Sequence, residues 1–199
     1  DQILIERSGD VIPQIVKSLS ELRSGKERDI QFPKNCPVCN HTLHKTEDEA
    51  VWRCININCT AQVVERIIHF VSKDAMDIKS LGEANIRKFY ELGLLKDVPS
   101  IYEFDIEGLK NTEGFGAKSI SNLKDAIEKS KTQPLHRLIY ALGIRYVGET
   151  TAKTIAQKIT DLFELKNKTE ENLMEMEDVG VKVAKSIYEF FHNEDNIAL

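Results

Sequence analysis

The stretch LGIRYVGETTAKTIA, residues 142–156, centres on Gly148, which follows an apolar residue and precedes a run with helical spacing. The same arrangement recurs at intervals of 34, 32 and 32 residues around Gly82, Gly116, Gly148 and Gly180. At positions −7, −4, −1, +4 and +7 from each glycine, nineteen of twenty residues are apolar, and Thr112 is the exception. This spacing puts apolar side chains on one face of each of two helices joined by a tight turn. The pattern therefore predicts a mainly α fold in which residues 67–199 hold four helix pairs, each closed by a hairpin.

The hairpins have the chemistry of anion sites. Backbone N–H groups of the turn and of the next helix converge on one point, which suits a phosphate. Cations follow at +2 (Lys118, Lys182) and at +5 (Arg87, Lys153, Lys185). No constellation for reading bases is visible, so the predicted target is the phosphate backbone of nucleic acid. A plain helical-repeat scaffold, in which the glycines only cap helices, is the alternative. The candidate contact residues are Gly82, Arg87, Gly114, Gly116, Lys118, Arg145, Gly148, Lys153, Gly180 and Lys182.

Charge is distributed unevenly along the chain, whose formal net charge is −5. Residues 161–199 hold four lysines against ten carboxylates, whereas residues 114–160 hold eight basic residues against three acidic ones. Because phosphate binding depends on local potential, an acidic chain can carry a basic binding face, although ordinary solvated helix faces would give the same pattern. We expect the second and third hairpins to bind most strongly. The fourth, with Asp178 beside its turn, is expected to contribute less than these two, and a purely structural role is its alternative.

All four cysteines lie in one short segment, as Cys36, Cys39, Cys54 and Cys59. Two close pairs of thiolates complete the tetrahedral shell that structural Zn²⁺ prefers. The alternatives are two disulfides, which a reducing compartment disfavours, and a redox pair, which leaves the other pair unexplained. His41 and His44 are expected to face solvent, because four thiolates already fill the shell. A module as small as residues 31–66 needs its metal to fold, and Trp52 is expected to pack within it.

The remaining sequence carries weaker signals. Residues 1–30 alternate apolar and polar residues around a turn at Ser8-Gly9-Asp10, which predicts one or two strands that need further chain to bury both faces. No apolar run approaches the roughly eighteen residues that a membrane-spanning helix needs. The first residues lack the layout of a signal peptide, so we expect a cytoplasmic protein.

Taken together, five motifs resemble bacterial NAD-dependent DNA ligase. They are GDVIPQI at 9–15, the four-cysteine segment, RIIHFVSKDAMDIKSLGE at 66–83, EGFGAKS at 113–119 and LGIRYVGETTAKTIA at 142–156. Hairpins of this kind are generic to DNA-repair proteins, but their order behind a four-cysteine finger is specific to the family. The first hairpin position, often glycine in the family, keeps it only at Gly114; Ser80, Tyr146 and Asp178 replace it elsewhere.

The resemblance implies the end of an oligonucleotide-binding (OB) barrel at 1–30, a zinc finger at 31–66 and a helix-hairpin-helix domain at 67–199. It implies a parent enzyme that binds nicked double-stranded DNA and joins 3′-hydroxyl to 5′-phosphate ends in replication and repair. That enzyme would bind NAD⁺ and Mg²⁺ outside this chain, with an adenylation domain and the rest of the barrel upstream and a BRCT domain downstream.

The adenylation signature Lys-x-Asp-Gly is absent from the sequence, so this chain is expected to hold no catalytic residue and to be inactive alone. A non-enzymatic DNA-binding repair scaffold with the same hairpins is the rival interpretation. A nuclease subunit is disfavoured, because Asp74 and Asp77 are expected to be solvated on a helix flank.

Overall fold

The fold comes from a computed structural model that describes residues 1–9, 12–45, 50–103, 105–111 and 114–197, apart from the side chains of Ser8, Asn111 and Asp195. Two compact units divide between Cys54 and Ile55. Short strands lie in the N-terminal unit and helices make up the other, so the prediction of a mainly α chain is confirmed.

In the first unit, β1 (Ile3–Ser8) pairs antiparallel with β2 (Ile12–Ser18), which confirms the predicted strands. The register shifts between Leu4 and Ile5, and Pro13 lies opposite Arg7. The predicted turn falls partly outside the described residues. Apolar side chains on both strands are exposed within this chain, as expected for two strands alone.

Three of the four cysteines, Cys36, Cys39 and Cys54, belong to this unit and follow a 3-10 turn at Ser20–Leu22. It contains an antiparallel pair of short strands, β3 (Leu43–His44) and β4 (Arg53–Cys54). Trp52 is 41% exposed, so the prediction that it packs within the module is wrong. The ladder joins only two residue pairs, which leaves no sheet face broad enough to cover an indole.

The second unit is built from helices. They are α1 (Thr60–Val71), α2 (Glu83–Glu91), α3 (Ser100–Glu103), α4 (Ala117–Ser130), α5 (Leu135–Ala141), α6 (Glu149–Ala156), α7 (Glu170–Met174), α8 (Val181–Phe191) and α9 (Glu194–Ile197), with 3-10 turns at Glu107–Asn111 and Leu162–Asn167. The boundary predicted between residues 66 and 67 falls inside α1. Among the described residues, no helix has the length and apolar character to cross a membrane.

The repeated apolar residues form the core of the second unit. All nineteen are buried, and Thr112 lies outside the described residues. One cluster runs from Val64 to Ile127, also includes Ala141 and joins the first two hairpins, and a second runs from Ile139 to Phe191 and joins the last two. Burying each large side chain contributes about 1.5–3 kcal/mol, so the hairpins are stabilised in pairs.

The segments before the four glycines differ from the prediction of two helices per hairpin. Helices α5 and α7 precede the third and fourth hairpins, but a 3-10 turn precedes the second. The expected helix before Gly82 is absent: residues 73–80 form turns, Asp77 has φ +50°, and Asp74 and Asp77 therefore do not lie on a helix flank.

Long-range hydrogen bonds explain that difference. Arg137 donates to the carbonyls of Lys73 and Ala75, and the Gln133 amide donates to the carbonyl of Met76 at 3.3 Å. These carbonyls are satisfied without a helical partner, so the chain can leave the helix while its apolar residues stay buried.

Candidate metal centre and nucleic-acid interface

The first cysteine pair lies in a tight turn. The Cys36 N–H donates to the His41 carbonyl at 2.7 Å, and the Asn40 N–H donates to the Cys36 carbonyl at 2.9 Å. Asn40 has φ +57°, a left-handed conformation that asparagine adopts more readily than most residues. This turn brings Cys36 and Cys39 side by side.

The four cysteine thiols form one cluster, with all Sγ atoms within 4.8 Å of one another and those of Cys39 and Cys54 at 3.5 Å. None of the four is in a disulfide. Cys36 and Cys59 are buried, and the other two are half-buried. Zn²⁺ bonded to four sulfurs at about 2.3 Å separates them by roughly 3.8 Å, so the cluster has the size and donor chemistry of a structural zinc site. His41 and His44 are exposed, as expected.

The four hairpins share one backbone conformation. The residue two positions before each key glycine is left-handed, with φ +69° at Ser80, +88° at Gly114, +64° at Tyr146 and +60° at Asp178. The residue between is buried each time. The repeat seen in the sequence is therefore a repeat of geometry as well as of spacing, and it survives the loss of glycine at three first positions.

The glycine that follows is the N-cap of α2, α4, α6 or α8, with φ between −77° and −84° and ψ between 168° and 178°. Any residue can adopt this extended conformation. A Cβ built at Gly82, Gly116, Gly148 or Gly180 meets no atom within 4 Å. Packing and backbone strain within the chain do not require glycine there, so each glycine leaves open space at the surface of a hairpin.

The helices that begin at these glycines lack a side-chain cap. In contrast, Asp161 and Thr169 close the starts of a 3-10 turn and of α7 with capping boxes. The first N–H groups of an uncapped helix have no acceptor within the helix, and they carry the positive end of its dipole. Each hairpin thus presents open space beside unsatisfied donors, which is the arrangement that binds a phosphate group.

Three of the five cations predicted at +2 and +5 pair with carboxylates, and the longest of these contacts joins Lys185 to Glu189 at 3.8 Å. Arg87 lies 2.6 Å from Glu65 and 2.8 Å from Glu83, and these hydrogen bonds raise the pKa of its guanidinium. Lys153 lies 2.6 Å from Glu149, which lowers the pKa of that carboxyl. Glu83 and Glu149 occupy the first helical position of their hairpins, where the helix dipole favours a carboxylate. Their spacing of four residues from the cations was a signal that the sequence reasoning missed.

Lys118 and Lys182, at the second helical position of the other two hairpins, are exposed. Neither makes an ion pair with any described residue. Asp178, four residues before Lys182 in the chain, is also exposed. Among the described residues, which leave out Glu113, the second hairpin therefore has the least compensated cation of the four.

The third hairpin carries an aromatic–cation pair at its tip. The Arg145 guanidinium carbon lies 4.6 Å from the centroid of the Tyr146 ring, and both side chains are exposed.

All ten predicted contact residues are exposed, which is a precondition for binding. Their contact with DNA stays a prediction.

Comparisons with known proteins agree with this geometry. The family described as helix-hairpin-helix motif matches residues 137–199, and the NAD-dependent DNA ligase C4 zinc finger domain matches residues 35–61. The DNA ligase of Sulfurihydrogenibium azorense is 60% identical over 199 residues, which are 100% of this chain. Those of Persephonella marina and Aquifex aeolicus are 59% and 49% identical over 100% and 99% of it.

The chain spans only 28% of the first two relatives' length and 27% of the third's. The matched zinc finger is particular to NAD-dependent ligases and lies at the cysteine cluster, and the helix-hairpin-helix match covers the third and fourth hairpins. The chain therefore belongs to the NAD-dependent DNA ligase family and corresponds to the part with the four-cysteine zinc finger and the helix-hairpin-helix repeats.

Proposed function

We propose that this chain is the DNA-gripping part of an NAD-dependent DNA ligase. The whole enzyme would seal nicks between 3′-hydroxyl and 5′-phosphate ends in duplex DNA during replication and repair. This part would hold the phosphate backbone on either side of the nick. Holding both ends in line is a contribution of proximity to the reaction, and it requires no acid or base from this chain.

The observation that carries the proposal is the open space at the four hairpin glycines. A Cβ at Gly82, Gly116, Gly148 or Gly180 would meet no atom within 4 Å, and each of these glycines directly precedes an uncapped helix. A phosphate oxygen that accepts hydrogen bonds from backbone N–H groups needs that space. Four such sites in one chain suit a polymer with regularly spaced phosphates.

The chemistry of the interface favours binding without sequence preference. Backbone N–H groups and lysines bind phosphates, which are the same for every base pair. The candidate contacts are those predicted from the sequence: Gly82, Arg87, Gly114, Gly116, Lys118, Arg145, Gly148, Lys153, Gly180 and Lys182. Of these cations, Lys118 has the strongest support, because Arg87 and Lys153 already neutralise carboxylates.

The cysteine cluster would hold one Zn²⁺ through Cys36, Cys39, Cys54 and Cys59. When bound, the metal supplies cross-linking of a segment too small to fold on hydrophobic burial. Two of the four ligands sit at the ends of secondary elements: Cys54 ends β4, and Cys59 directly precedes α1. The zinc would thereby fix the start of α1, whose buried face belongs to the first core cluster.

The proposal also covers domains and cofactors of the parent enzyme that lie outside this chain. The adenylation domain, the rest of the OB fold, NAD⁺ and Mg²⁺ would lie in sequence before this chain, and a BRCT domain after it. The parent would work in the cytoplasm at the nucleoid, where its DNA is. A repair scaffold without ligase activity is the second candidate, but the match to the ligase zinc finger favours the ligase.

Two measurements test the proposal. The zinc-loaded 199-residue chain should bind nicked and intact duplexes of unrelated sequence with similar affinity, and the affinity should fall steeply with salt. The full-length parent should seal nicked DNA with NAD⁺ and not with ATP. A parent that binds nicks but seals them with neither cofactor would support the scaffold instead.

A further inference from the structure

The third hairpin differs from the others at its first position. Tyr146 is left-handed at φ +64° and its side chain is 45% exposed. The equivalent residues are Ser80, Gly114 and Asp178, all of them small or short. A bulky residue in this conformation is a genuine outlier, and such outliers cluster at functional sites.

The turn does not require a tyrosine at this position. Gly114 gives the second hairpin the same backbone conformation without a side chain, so the turn itself needs none. The Tyr146 ring is not part of either core cluster, which the buried neighbours Ile144 and Val147 supply. The ring instead stacks under the Arg145 guanidinium, which lies 4.6 Å from its centroid. An exposed aromatic surface is thus held in place next to a cation.

Tyr146 belongs to the same turn as the proposed phosphate site of the third hairpin. Tyr146 is two residues before Gly148, whose open side is the proposed phosphate site. In duplex DNA a deoxyribose adjoins every phosphate, and the sugars line the minor groove with apolar surface. Aromatic side chains make apolar contacts with nucleotides, and arginine enters the minor groove.

We propose that Tyr146, oriented by Arg145, packs against the deoxyribose next to the phosphate held at Gly148. This inference rests on the proposed function and assigns a contact that carries no charge. With this contact, the third hairpin would bind DNA through an apolar surface as well as through a phosphate. The tyrosine therefore acts as a binding residue whose strain is tolerated for the contact.

The test compares variants of the zinc-loaded 199-residue chain on nicked duplex at several salt concentrations. Tyr146→Gly should weaken binding about fivefold to tenfold, in line with aromatic contacts to nucleotides. The slope of affinity against salt should not change, since no cation is removed. The melting temperature should change by less than about 4 °C, because glycine relieves the left-handed strain but also raises the entropy of the unfolded chain. Tyr146→Phe should bind within about twofold of the wild type, because the ring is the contact.

Ser80→Gly is the matched control, since it relieves the same conformation in the first hairpin and removes no ring; it should leave affinity unchanged. Gly148→Val separates the two proposals. If Gly148→Val weakens binding and Tyr146→Gly does not, the tyrosine contact is wrong and the proposed function stands. If neither weakens binding, the proposed function fails as well. A melting temperature lowered by more than about 4 °C with Tyr146→Gly, or a salt slope reduced by about one, would also overturn the contact in favour of a structural or Arg145-mediated effect.

Discussion

A valine in place of a hairpin glycine should separate DNA binding from folding. Gly148 has φ −84° and ψ 178°, and a Cβ there meets nothing within 4 Å. Replacing glycine at an N-cap costs up to about 1 kcal/mol in helix capping. Lower entropy of the unfolded chain offsets this by about 0.4–1 kcal/mol. The free energy of unfolding of Gly148→Val should therefore change by less than about 1 kcal/mol.

The effect on binding should be much larger. A phosphate oxygen must come within about 2.9 Å of a backbone nitrogen to accept its hydrogen bond. The valine side chain fills the space through which the phosphate approaches. Loss of one hydrogen bond to a charged group costs about 1.5–3 kcal/mol of binding free energy. One such loss raises the dissociation constant about 10-fold to 150-fold.

The assay is fluorescence anisotropy on labelled nicked duplex, with thermal unfolding followed by circular dichroism. Gly116→Val and Gly148→Val should lose more affinity than Gly180→Val, because the fourth hairpin has Asp178 exposed beside its turn. Gly180→Val is thus the internal control, with the same backbone and the same open space. Equal losses at all three would reject the electrostatic ranking. Unchanged affinity in every folded variant would reject phosphate binding by the hairpins.

Three further predictions concern the cations, the metal and the chemistry. Lys118→Ala should lower the slope of DNA affinity against salt concentration by about one. Lys153→Ala should lower the same slope less, because Lys153 is paired with Glu149 at 2.6 Å. Equal slopes for the two variants would contradict that ranking. Elemental analysis should find one zinc per chain, and removal of the metal by a chelator should expose four titratable thiols. A metal-free chain with two disulfides would exclude the zinc site. Incubation with NAD⁺ should leave the mass unchanged, since the chain has no Lys-x-Asp-Gly motif, whereas a gain of one AMP would place adenylation within it.

Local spacing was sufficient for much of this structure. The nineteen apolar positions around four glycines are all buried. Those at +4 and +7 lie on the helix that follows each glycine, where their period puts them on one face. Most of those before the glycines are buried without being helical. The cysteine spacing likewise predicted the cluster of four thiols, since each pair is close in sequence and a metal accepts only a compact shell. Both features depend on residues that are neighbours along the chain or on a short repeat.

Tertiary structure decided what depended on distant partners. Glu65 on α1 accepts a hydrogen bond from Arg87, 22 residues further along the chain. Arg87 was predicted from the sequence to bind DNA, and it is instead paired with a carboxylate. Arg137 satisfies a carbonyl 62 residues earlier, which lets a turn replace the helix expected before Gly82. Only the fold showed that the hairpin glycines face open space and that Tyr146 keeps the left-handed conformation. The spacing of residues along the chain does not show which distant donor or acceptor will bond to a given group. These long-range bonds decided which polar groups stay available to a ligand.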